Sequence, residues 1–200
     1  MTWVVFDYGG VLCHPPTEEA GAALAAAAGT TVDRFWPAYW AHRTPYDLGV
    51  VSAAEFWTKV CGDLGRPSVD DEVERLVDLD NIAWFNLNQG TSDLLRELSE
   101  ADVPLALLSN APVDLARVID TQPWAGRFQH RFFSADLKLA KPDPAVYRRL
   151  CTSLGAGPGE VMFVDDREDN VLAARELGID ALLFTDVGRL RADLAKRGTS

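Results

Sequence analysis

The chain has 200 residues, 48% of them hydrophobic and 24% charged, enough to bury a core and to form one or two domains. Thirty acidic residues against nineteen basic ones leave a net charge of −11, which argues against a broad electrostatic footprint for nucleic acid or an anionic membrane surface. The opening Met-Thr-Trp-Val-Val-Phe-Asp carries no basic region, and no apolar run approaches the roughly 18 residues that span a bilayer, so neither secretion nor membrane insertion is expected.

The first apolar run, Trp3 to Phe6, predicts a strand that ends at Asp7. Helical patterns follow over Glu18 to Ala28, Val32 to His42, Ala53 to Leu64 and Val69 to Val77, with a return helix near Thr91 to Glu100. Ser52 with Glu55 fits a capping box, and Ser68 fits an N-cap with early acids behind it. The Ala-rich stretch Ala20 to Ala28 reads as a good helix former packed closely on a neighbour. Trp36, Trp40, Phe56 and Trp57 lie at helical spacing and read as core or interface anchors.

Four further apolar runs, Leu105 to Leu108, Arg131 to Phe133, Val161 to Val164 and Ala181 to Phe184, are too continuous for half-exposed strands and predict strands covered on both faces. Between them lie the helices Pro112 to Asp120, Pro144 to Leu154 and Asp169 to Leu177, the last stopped by Gly178. This alternation predicts an α/β fold with a mostly parallel, doubly wound sheet. Nearly a hundred residues between Phe6 and Leu105 exceed any single crossover, so a small helical domain is inserted there. The expected division is a core of residues 1–15 and 88–200 and a cap of 16–87. Cys13, Cys61 and Cys151 are odd in number, widely spaced and without Cys-x-x-Cys, which predicts reduced thiols and a cytoplasmic location.

Polar residues stand directly after the predicted strands: Asp7 after the first, Ser109-Asn110 after the second, Asp165-Asp166 after the fourth, and Lys141-Pro142 a short loop beyond the third. Ligands of open parallel sheets bind beyond the carboxyl ends of the strands, so these residues are expected to share one cleft. Clustered Asp7, Asp165 and Asp166 repel one another unless a hard cation sits among them, and carboxylates with waters suit Mg²⁺. Lys141, Ser109 and nearby backbone N–H groups such as that of Gly10 offer positive charge and donors to phosphate oxygens, and a carboxylate can act as nucleophile. Taken alone, Lys141 also fits a solvated loop, and Asp165-Asp166 a helix cap.

The ordered set Asp7-Tyr8-Gly9-Gly10-Val11, Ser109-Asn110, Lys141-Pro142-Asp143-Pro144 with Tyr147, and Asp165-Asp166-Arg167-Glu168-Asp169-Asn170 resembles the four motifs of the haloacid dehalogenase-like (HAD) hydrolases, and the inserted helices resemble the family's C1 cap. The resemblance implies a Rossmann-like core and a Mg²⁺-dependent phosphatase acting on a small phosphomonoester, a sugar phosphate among the candidates. It assigns Asp7 as nucleophile and metal ligand, the Gly9 carbonyl and Asp166 as further ligands, and Ser109, Asn110 and Lys141 to phosphate. Asp165 and Asn170 become supporting groups, and Asp169 another acid near the cation.

Most family phosphatases carry a second Asp where this chain has Gly9, so the general acid is missing, as in a branch that includes sugar-phosphate phosphatases. His14, seven residues past Asp7 and beside Pro15-Pro16, is a candidate replacement or a turn histidine, and Arg43 a candidate second anion contact. His130 and Asp136 default to structure. Two rival readings remain: a 2-haloacid dehalogenase, which the Asp165-Asp166 pair disfavours, and a weak phosphoryl-sensing protein. The expected partner is a phosphorylated small molecule, with the protein a monomer or homodimer.

Overall fold

The computed structural model describes residues 2–66 and 72–198. Five parallel strands, β1 (Trp3–Phe6), β2 (Leu105–Ser109), β3 (His130–Phe133), β4 (Val161–Asp165) and β5 (Asp180–Leu183), lie in the order β3-β2-β1-β4-β5. Successive side chains of a strand point to opposite faces, and each face recruits its own helices. Val4 and Phe6 of β1, with Leu105 and Leu107 of β2, pack under α5 (Gln89–Glu100), α6 (Val113–Asp120) and α10 (Val187–Lys196). Val5 and Phe163 pack on the other face under α8 (Pro144–Leu154) and α9 (Glu168–Glu176). This two-faced covering suits the apolar run of β1 and those of β2 and β4 up to their last residues, Ser109 and Asp165, while β3 and β5 are edge strands and not covered on both faces: His130, Arg131 and Leu183 are exposed. His130 stacks on Phe132 there and meets Trp3 at a tilt. A short helix, α7 (Ser134–Leu137), follows β3.

Helices α1 (Glu18–Ala27), α2 (Val32–Asp47), α3 (Ala53–Asp63) and α4 (Val73–Ala83) bury a third apolar cluster built on Leu24, Phe35, Tyr39, Phe56 and Trp57. Ser52 and Glu55 exchange the two hydrogen bonds of a capping box at the start of α3. The expected N-cap at Ser68 lies outside the described residues. α2 runs past the predicted end at His42 to Asp47, through Pro37 and Pro45, each of which removes one backbone donor without ending the helix. That extra turn matters, because it carries Arg43, Thr44 and Asp47 to the core.

The insert leaves and rejoins the sheet side by side. His14 N–H donates to the Asn86 carbonyl at 2.7 Å, and Asn88 N–H to the Leu12 carbonyl at 2.8 Å. The C-terminal end of α2 is tied to the core: the Tyr46 hydroxyl donates to Asp114 at 2.9 Å, the Ser134 hydroxyl to the Asp47 carbonyl, and Lys138 Nζ to the Gly49 carbonyl at 2.6 Å. Among the described residues no helix is long and apolar enough to cross a membrane.

Candidate active site

The strand order reverses direction at β1, where β2 leads one way and β4 the other, and the crevice beyond their carboxyl ends holds the polar residues. Asp7 N–H still pairs with the Val164 carbonyl at 2.9 Å, so the carboxylate is fixed by the last rung of the β1–β4 ladder. The chain then coils tightly: Val11, Leu12 and Cys13 N–H all donate to the Tyr8 carbonyl, and Gly10 N–H to the Cys13 carbonyl. Gly10 sits at φ +78°, and a Cβ there would meet Asp166 Oδ2 at 2.1 Å, so only glycine admits both the turn and the carboxylate beside it.

Lys141 is the hub of the site. Its Nζ lies 2.7 Å from Asp7 Oδ1 and 2.7 Å from Asp165 Oδ2, with the side chain almost wholly buried. Asn110 holds its backbone at both ends, Nδ2 donating to the Lys141 carbonyl at 2.8 Å and Oδ1 accepting from the Lys141 N–H at 2.9 Å. Asp165 is held from both oxygens: besides Lys141 on Oδ2, Oδ1 takes Arg167 N–H and Asn170 Nδ2, both at 2.9 Å. The Tyr147 hydroxyl in turn donates to the Asn170 carbonyl at 2.8 Å.

Burial pushes the Asp7 carboxyl well above the ordinary range, Lys141 pulls it back, and Asp165 adds to the rise. Burial works against the Lys141 ammonium, but Asp7 and Asp165 outweigh it and hold the charge. Burial and Asp165 also raise Asp166. Oxygens of Asp7, Asp165 and Asp166 lie within 4.8 Å of one another. Asp165 already takes three hydrogen bonds, from Lys141, Arg167 N–H and Asn170, whereas no side chain among the described residues pairs with Asp166. Asn170 Oδ1 is buried with no hydrogen-bond partner among them. A hard cation therefore fits between Asp7 and Asp166, with the Gly9 carbonyl on the same loop.

These groups open on a cavity of about 640 Å³ lined by Asp7, Gly9, Gly10, Ser109, Asn110, Lys141, Asp166 and Asn170 from the sheet side. Pro15, Trp40, Arg43, Thr44, Asp47 and Trp84 line it from the insert. Two sequence expectations change here. Trp40 is 51% exposed and forms cavity wall, not core. Arg43 is buried between two carboxylates, Nε donating to Asp47 at 2.5 Å and Nη1 to Asp80 at 3.1 Å, with its guanidinium over the Tyr39, Tyr46 and Trp84 rings, so most of its capacity is spent inside the protein.

His14 is exposed and does not line the cavity, so it is no substitute for an acid at Gly9. Asp169 turns outward to Arg167, which holds its carboxyl below the ordinary range, away from the cluster. Asp136 pairs with Arg117 at the surface. Asp47, Thr44 and Trp84 are among the lining residues that the sequence did not single out. An available signal was the i,i+4 spacing of Arg43 and Asp47. Trp84 packs on Gly9, its Cζ3 lying 3.4 Å from where a Cβ would stand.

The profile of the haloacid dehalogenase-like hydrolases matches residues 1–178. The chain belongs to this family. Among its relatives, the sesquiterpene phosphatase astK of Aspergillus oryzae is 31% identical over 154 residues, 70% of this chain and 78% of that protein. The flavin mononucleotide hydrolase 1 of Arabidopsis thaliana is 30% identical over 114 residues, 57% of this HAD-like chain, and the match spans less than half of the plant protein, 46%. The HAD family enzyme BT-2542 of Bacteroides thetaiotaomicron, solved with magnesium and inorganic phosphate, superposes with a TM-score of 0.74 at 22% identity, covering 95% of this chain and 98% of that one. This likeness shows the shared fold of the HAD-like hydrolases.

Proposed function

We propose that this HAD-like hydrolase is a Mg²⁺-dependent phosphatase acting on a small phosphomonoester through a phosphorylated Asp7, with α1–α4 as its cap. The observation that carries the reading is Lys141 Nζ at 2.7 Å from both Asp7 and Asp165, with the unpaired Asp166 carboxylate within 4.8 Å of the same cluster. Lys141 offsets charge on both Asp7 and Asp165, which lets Asp7 stand against an anion, and Asp166 is left free to face a cation. Bound Mg²⁺, held by Asp7, Asp166 and the Gly9 carbonyl, supplies charge to the phosphoryl oxygens.

The remaining chemistry belongs to the chain. Lys141 and the Ser109 hydroxyl donate to the phosphoryl group and orient it against Asp7. A carboxylate oxygen of Asp7 forms the new bond to phosphorus as the ester P–O bond breaks. Water then attacks the same phosphorus, releasing inorganic phosphate and restoring the carboxylate. Asn110 fixes Lys141, and Asn170 with Tyr147 fixes Asp165.

Relatives named as phosphatases support this reading. The test is phosphate release from a metabolite panel with Mg²⁺, with EDTA, and with Asp7→Asn. Turnover that needs Mg²⁺ and Asp7 supports it. Turnover of a 2-haloacid in EDTA favours the dehalogenase reading, and a stable phospho-aspartate after acetyl phosphate, without turnover, favours a phosphoryl-sensing role.

A further inference from the structure

An alkoxide leaving a phosphate needs a proton, and Gly9 cannot give one. The place beside it is filled by an indole, since Trp84 Cζ3 lies within 3.4 Å of the missing Cβ position, so a longer side chain at residue 9 must run past that ring. The proton has to come from another group on the cavity wall.

The wall offers few. Asp7 is the nucleophile, Asp166 belongs to the cation site, and Lys141 is locked between Asp7 and Asp165. Arg43 and Arg167 do not deprotonate. The Tyr8 hydroxyl is committed to the Trp84 carbonyl at 2.6 Å, and burial raises it far out of range. Among the described residues no histidine lines the cavity. Asp47 remains. It stands at the last turn of α2, in the part of the cavity lining that the insert supplies, with 16% of its side chain exposed. Oδ1 takes Arg43 Nε, whereas no partner among the described residues takes Oδ2. The helix end is held to the core through the Asp47 carbonyl and Tyr46, so the carboxyl has a fixed place.

We propose that Asp47 is the proton donor to the leaving-group oxygen and the base for the hydrolytic water. This rests on the phosphatase reading above. As the P–O bond breaks, its electron pair goes to the departing oxygen, which takes the Asp47 proton; in hydrolysis Asp47 takes a proton back from the attacking water. The groups facing Asp47 are Arg43 on its own helix and Asp80 of α4, with Tyr46 and Asp114 of α6 beside them and Lys138, just after α7, at the Gly49 carbonyl. Burial raises the Asp47 carboxyl and Arg43 opposes it, leaving it at about 6, where it can give and take a proton near neutrality.

The test compares a simple alkyl phosphate, whose alkoxide must be protonated, with p-nitrophenyl phosphate, whose phenolate leaves unaided, in Mg²⁺. Asp47→Asn is expected to lower the alkyl-to-aryl ratio of kcat/KM on the order of 10²–10⁴-fold, and Asp47→Glu to restore part of it. A structural role lowers both substrates together and overturns the proposal. Should Asp47→Asn not fold, the wild-type rate against leaving-group basicity decides: a shallow slope supports a proton donor, a steep one overturns it. No phosphate release from either substrate defeats the phosphatase reading itself, whereas release with an unchanged ratio defeats the Asp47 proposal alone.

Discussion

One side-chain amide clamps one peptide unit: Asn110 donates to the Lys141 carbonyl and accepts from the Lys141 N–H, at 2.8 and 2.9 Å. The position of the lysine ammonium is thus set from β2, not by its own loop. Asn110→Ala removes both bonds, each worth about 1 kcal/mol net. It is expected to lower kcat by at least tenfold with a smaller change in KM, in steady-state kinetics with Mg²⁺.

Asp7 and Asp165 share one lysine but respond oppositely to removal. Asp7→Asn deletes a carboxyl that burial penalises, and leaves Lys141 paired with Asp165. Its thermal midpoint is expected to equal or exceed the wild type while phosphate release vanishes. Asp165→Asn breaks a fully buried, hydrogen-bonded pair, at about 3–5 kcal/mol, and should lower the midpoint on the order of 10 °C in calorimetry.

Arg43 offsets two buried acids, Asp47 and Asp80. Arg43→Ala leaves both uncompensated and should cost about 3–5 kcal/mol in denaturant unfolding. Adding Asp80→Asn should return part of that loss, a coupling that a surface anion contact lacks.

The pH dependence of Asp47 has a definite sign. Its folded value of about 6 stands above the ordinary 3.8, so its favourable contribution is present below 3.8 and is lost as pH rises through about 6. Asp47→Asn removes that loss, so its midpoint should rise relative to wild type between pH 4 and pH 7.5, by up to about 3 kcal/mol of stability.

Gly10→Ala places a Cβ at φ +78° and 2.1 Å from Asp166 Oδ2. Left-handed backbone alone costs about 1–2 kcal/mol, and the collision displaces a proposed cation ligand. Activity should fall with a higher Mg²⁺ requirement. Adding Asp166→Ala should recover midpoint but not turnover.

The core was readable because buried parallel strands are continuous apolar runs: the predicted bounds of β1 and α8 coincide with the observed Trp3–Phe6 and Pro144–Leu154. The polar residues after those runs converge because parallel strands end on one side. Edge exposure at β3 and β5 was not readable, because it depends on strand order, which no local pattern encodes. Asp47 was hidden because Pro45 masks the last turn of α2, and Trp84 because nothing in its neighbours in sequence reveals that it meets Gly9.

Trp84 answers to two masters. Its carbonyl accepts from the Tyr8 hydroxyl at 2.6 Å and Cys13 Sγ at 2.8 Å, on the loop that bears Asp7, while its indole N–H donates to the Tyr39 hydroxyl of α2 at 3.2 Å. Neither half of the protein can therefore be exchanged for that of a relative without negotiating this residue. In a chimera that grafts a foreign insert onto this sheet, any residue 84 still offers its carbonyl to Tyr8 and Cys13, but the graft must also bring a side chain that fits against Gly9 and donates to its own α2.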